Sequence, residues 1–167
     1  MTILHRIWIL LALFAVLTVP LGPAVAMEKR GYKSAVKQAD FADVLQNVKD
    51  AIVNRGLVID YVGHVDTMLE RTSETVGSVT EKGVKSPFIA AKYVQFCSAK
   101  LTHDAVSANP YNIAVCPYVV FVFEERSMPG QVVVGYRRFI PGPSKLTRKA
   151  FGKIDALLSE IIAEATE

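Results

Sequence analysis

Two cysteines, three histidines and one tryptophan are all that this 167-residue chain holds of three residue types that often carry chemistry. The spacings that would turn them into machinery are missing too. Without Cys-x-x-Cys there is no thioredoxin-type motif and no covalent c-type haem attachment. Without His-Glu-x-x-His there is no zinc-protease helix. Gly-x-Gly-x-x-Gly, the P-loop, Gly-x-Ser-x-Gly and paired RNA-binding aromatics are also missing, which argues against nucleotide, lipase and RNA roles. No run of like charge occurs, and 19 basic against 16 acidic residues is too even a balance for nucleic acid or an anionic membrane surface. No internal repeat or low-complexity tract appears.

What is present begins with a leader. Met1 to Arg6 is short and ends on a positive charge, Ile7 to Leu21 is almost wholly apolar, and Pro20, Gly22 and Pro23 break the run before Ala24-Val25-Ala26. That is the three-part pattern of a cleaved secretory signal, with cleavage expected after Ala26. The apolar run falls short of the roughly 20 residues that a membrane span needs. The expected mature chain, Met27 to Glu167, is one domain, periplasmic or secreted, with 18 basic and 16 acidic residues. Both cysteines, Cys97 and Cys116, lie in it, and an even count in an exported protein suggests a disulfide.

Tyr32 to Gln38 reads as a short strand. Asp40 then caps a helix whose apolar residues fall at 41, 44, 45, 48 and 52, and Gly56 ends it. Leu57 to Val62 is β-branched and reads as a strand. His64 to Val76 can form a second helix with Val65, Met68, Leu69 and Thr72 on one face. Gly77 to Pro87 is polar and glycine-containing, a loop. Ala91 to Cys97 is a strand, and Ser98 caps a short helix that Asn109-Pro110 stops. Asn112 to Glu124, interrupted by Pro117, and Gln131 to Phe139 make a hairpin around Met128-Pro129-Gly130. Ser144 caps a long helix with Leu146, Phe151, Ile154, Leu157, Leu158, Ile161 and Ile162 as its apolar stripe. The whole reads as α+β, with a mostly antiparallel sheet and the long helices on one face.

Several of these segments resemble the domain of unknown function 302 family, in particular its exported members. The resemblance runs through Asn54-Arg55-Gly56-Leu57, Gly63-His64-Val65 with Met68-Leu69-Glu70-Arg71-Thr72, Phe96-Cys97-Ser98-Ala99, Val115-Cys116-Pro117-Tyr118 and Gly135-Tyr136-Arg137-Arg138. It covers about Tyr32 to Glu164. It implies a compact α+β fold similar to the TATA-binding-protein-like class and a tendency to form homodimers, and it carries no reaction with it. Many members place their first cysteine in Ala-Cys-Asn-Pro and their second in Leu-Pro-Cys-Asn. Here Ser98-Ala99 follows Cys97, and Cys116 precedes its proline, so no cysteine site is carried over.

The residues themselves leave three readings of the cysteines open: a structural disulfide, two buried thiols that never meet, or a redox or metal pair. Cys97 immediately precedes a helix start, where free N–H groups favour a thiolate. His64, Met68, Cys97, His103 and Cys116 form the candidate ligand set, since sulfur with imidazole suits copper, zinc or a haem iron. His64 and Met68 stand four apart, one face of a helix. Glu70, Arg71 and Glu74 read as a solvated face, and Arg137 and Arg138 point to opposite sides of a strand. The sequence favours a non-enzymatic exported module. It would hold a small ligand, metal or haem in a cleft between the sheet and the second helix, near His64, Cys97 and Cys116. The competing readings are a thiol-dependent redox protein using Cys97 and Cys116, and a structural partner of an envelope complex.

Overall fold

The computed structural model describes residues 27–29, 31–75 and 86–167. The expected leader, residues 1–26, lies outside the described residues, as do residues 76–85 of the expected loop. The chain runs β1 (Met27–Lys29), β2 (Tyr32–Gln38), α1 (Phe41–Val53), β3 (Val58–His64), α2 (Val65–Thr75), β4 (Phe88–Cys97), α3 (Ala99–Ala108), a 3-10 turn over Pro110–Val115, β5 (Tyr118–Glu125), β6 (Gln131–Arg137) and α4 (Lys145–Ala165).

Local chemistry sets these boundaries. The Asp40 carboxylate accepts from the Ala42 N–H at 2.7 Å and starts α1. Val44, Val48, Ala51 and Ile52 form its buried stripe, and Gly56 at φ +70° closes the helix end. Ser98 and Ser144 cap α3 and α4 in the same way, each accepting from the N–H three residues on. On α4 the buried stripe is Thr147, Ala150, Phe151, Ile154, Leu158, Ile161, Ile162 and Ala165. Leu146, expected in that stripe, is 65% exposed. Thr147 takes the inward place, and the neighbouring position is turned about 100° away from it.

The six strands form one sheet in the order β1-β2-β6-β5-β4-β3, with every pairing antiparallel. Helix α1 carries the chain across the sheet, from β2 near one edge to β3 at the other. Directly paired residues share a face. One face therefore carries Ala35, Val134 and Val122 in one row and Tyr136, Val120 and Val94 in the next. All six are buried under the helices, where α1 and α3 pack on either side of α4. Tyr136 is wholly buried there and donates to the Asp155 carboxylate at 2.9 Å. Burial first, and then that carboxylate, push its phenol well above the ordinary value.

Four expected boundaries are corrected. Strand β3 runs to His64, so α2 begins at Val65, and His64 shares no helix with Met68. Strand β4 begins at Phe88, three residues earlier than its pattern suggests, because the register shift near its start restores pairing with Glu125. The segment from Asn112 does not enter the sheet. Asn109 caps a fresh turn through the Tyr111 N–H at 3.0 Å, and buried Asn112 donates to Ala105 O at 2.8 Å and to Thr147 Oγ1 at 3.2 Å. Those bonds pin residues 110–115 to α3 and α4, and β5 starts only after the cis Cys116–Pro117 bond. Strand β6 stops at Arg137, two residues short of Phe139, whose ring instead packs against Phe151 of α4.

Candidate ligand site on the open sheet face

The second face of the sheet carries the other half of each strand. Its register gives two rows: Ser34, Gly135, Phe121, Tyr93 and Gly63, then Val36, Val133, Phe123 and Ala91. The helices α1, α3 and α4 pack on the opposite side, so Phe121, Phe123, Val36 and Val133 stay only half-buried. An ordinary one-sided antiparallel sheet sets polar side chains here. Strand β5 instead reads Tyr118-Val119-Val120-Phe121-Val122-Phe123, apolar on both faces.

Two glycines let the rings lie down. A Cβ at Gly135 would meet Phe121 Cζ at 2.4 Å, and one at Gly63 would meet Tyr93 Cε1 at 2.1 Å. Each ring is therefore folded across the glycine of the adjoining strand instead of standing off the sheet. Phe121 stacks on Phe123 with ring centres 5.9 Å apart, Tyr32 meets Phe121 edge-on at 6.1 Å, and Phe88 meets Phe123 at 5.3 Å. Contacts of this kind contribute about 0.5–1.5 kcal/mol each beyond burial. They hold the four rings as one connected surface.

That surface lines a cavity of about 600 Å³, bounded also by Ser34, Val36, Val65, Met128 and Val133. The volume lies within the range of small-molecule sites. Among the described residues, two formally charged side chains, Lys92 and Glu125, belong to its wall. Lys92 Nζ donates to both oxygens of Asp66, at 2.9 and 2.8 Å, and both side chains are largely buried. Asp66 also accepts from the N–H groups of Ala91 and Thr67. Loss of water pushes its carboxyl up, but the Lys92 ammonium and those two backbone donors outweigh this and hold it at about 2. Glu125 accepts from Ser127 Oγ at 2.9 Å.

The residues singled out from sequence lie elsewhere. His64 ends β3, exposed, opposite Lys92. Met68 is 48% exposed on α2, and His103 is exposed on α3. Cys97 and Cys116 come together with Cα atoms 5.9 Å apart and are disulfide-bonded. Cys97 is five residues along β4 from Lys92, roughly 16 Å at 3.3 Å per residue. None of these five residues lines the cavity. Among the described residues, no three His, Cys, Asp or Glu side chains converge as a metal set. Glu70 forms an ion pair with Arg126 at 4.0 Å, and Arg138 reaches Asp155 on α4 while Arg137 is exposed. The aromatic surface was missed by sequence reasoning. Its signal was the unbroken apolar run of β5, which marks a strand that seeks cover on both sides.

No family model matches the sequence, and no curated protein matches it. Among solved structures, the chain is similar to the crystal structure of the uncharacterized conserved protein DUF302 from Bacillus stearothermophilus. The TM-score is 0.63 at 12% sequence identity, over 82% of this chain and 99% of that one. At that identity the likeness concerns the fold. The chain shares its α+β fold with that domain of unknown function 302 protein.

Proposed function

We propose that the chain is an exported, non-enzymatic binding module that holds a small, largely apolar molecule in the cavity on the open sheet face. One observation carries this reading: four connected aromatic rings form a concave wall on the side of the sheet away from α1, α3 and α4. Apolar surface left concave and open is what a ligand site presents before its ligand arrives. Gly63 and Gly135 support the reading, since they keep Tyr93 and Phe121 flat and leave space above the sheet. Export rests on the leader pattern of residues 1–26, and the Cys97–Cys116 pairing is in keeping with an oxidising compartment.

The test is a fluorescence titration of the protein purified from the periplasm with the uncharged dye N-phenylnaphthylamine. Saturable binding at one site per chain is expected, with a dissociation constant in the micromolar range. Val133→Trp, which puts an indole into the cavity, should weaken it at least roughly tenfold, or about 1.4 kcal/mol. Val36→Trp, from the adjoining strand, serves if the first variant does not fold. Unsaturable binding, or binding untouched in a folded tryptophan variant, overturns the proposal.

A further inference from the structure

The cavity's charges narrow its ligand. We infer that the site takes uncharged molecules and rejects otherwise identical anions, an inference that rests on the binding role proposed above. Among the described residues the wall has one cation, Lys92, and its charge is already committed to Asp66 through two hydrogen bonds. Asp66 in turn is held by the Ala91 and Thr67 N–H groups, so it is not free to release the lysine to a ligand. Glu125 then adds a negative charge, and among the described residues no second lysine or arginine belongs to the wall. Lys92 and Asp66 offset each other, which leaves Glu125 as the unbalanced charge among the described wall residues. An anion entering this apolar space would lose water, find no uncommitted cation among the described wall residues and lie near the Glu125 carboxylate. An uncharged molecule escapes that penalty, and the rest of the described wall offers it rings, aliphatic groups, the Met128 thioether and the hydroxyls of Ser34 and Tyr32. Those hydroxyls suit a carbonyl or hydroxyl on the ligand.

The experiment compares N-phenylnaphthylamine with its sulfonated analogue, anilinonaphthalene sulfonate, which shares the ring skeleton and adds one negative charge. The uncharged dye should bind at least roughly tenfold more tightly at low salt, with the gap narrowing as salt screens the carboxylates. Glu125→Gln should lower the ratio of the sulfonated dye's dissociation constant to the uncharged dye's severalfold. Asp66→Asn, which frees the Lys92 ammonium, should do the same more strongly. Glu125→Gln alone suffices if the Asp66 variant does not fold. Equal or tighter binding of the sulfonated dye, or no response in Glu125→Gln, overturns the charge selectivity and leaves the binding role standing. If neither dye binds, the binding role fails, and the selectivity with it.

Discussion

Replacing Gly135 with alanine tests whether the open face is built on ring-over-glycine contacts. The added Cβ would lie 2.4 Å from Phe121 Cζ and 2.8 Å from Phe121 Cε2, both on a ring that can swing. It would also lie 2.6 Å from the Lys33 carbonyl oxygen, which is backbone of the adjoining strand and cannot swing. Gly135 does not have a positive φ, so the cost is steric and not conformational. Forced overpacking of this kind costs about 1–3 kcal/mol, and a clash with backbone belongs at the upper end. For a domain of this size, that lowers Tm by roughly 8–12 °C. Gly63→Ala is the control. All three of its close contacts are to the Tyr93 side chain near the sheet edge, so the ring can move aside. Its net cost should stay below about 1 kcal/mol, since alanine also lowers the entropy of the unfolded chain. Calorimetry on both variants, with the uncharged dye titrated into each, gives the comparison. Equal stability of the two variants would refute the reasoning, because it would mean that the Lys33 carbonyl is not held against Gly135.

Two further outcomes follow from the ion pair and the disulfide. Asp66 sits at about 2 in the folded chain against its ordinary 3.8, so its contribution is complete above about pH 4 and disappears as pH falls towards 2. The stability lost across that window is about 1–2 kcal/mol after allowing for solvent screening, and Asp66→Asn should flatten it in urea unfolding at the two ends. Cys97→Ser with Cys116→Ser opens a closed loop whose ends are 19 residues apart. The variant should unfold about 3 kcal/mol more easily, yet bind the uncharged dye as before because the cavity lies far from the sulfurs.

Much of the frame was legible before any coordinates. Asp40, Ser98 and Ser144 announce their helices by cap chemistry, and the α1 and α4 stripes follow from spacing alone. Where local signals compete with distant partners, they mislead. Asn112 to Val115 looks like the start of a strand, yet the Asn112 amide is claimed by Ala105 and Thr147, the latter 35 positions away. His64 looks like a helix start because Met68 lies four residues on, but pairing with Lys92 keeps it in β3. The candidate site was the least legible part. Tyr32, Phe88 and Phe121 belong to three strands, and only register sets Phe121 over Gly135. Histidine and cysteine drew attention by their chemistry, whereas the cavity is made of side chains that look like ordinary core.

The Cys97–Cys116 bond closes a covalent ring around α3 and the 3-10 turn, between the end of β4 and the approach to its neighbour β5. The polypeptide can therefore be cut anywhere from Ala99 to Val115 without dividing into two molecules. A single cut within the ring would leave β4 and β5 tethered at their shared end. The bond thus staples a part of the core, with Ala105 and Val115 buried inside the ring, to the two sheet strands that carry the aromatic face.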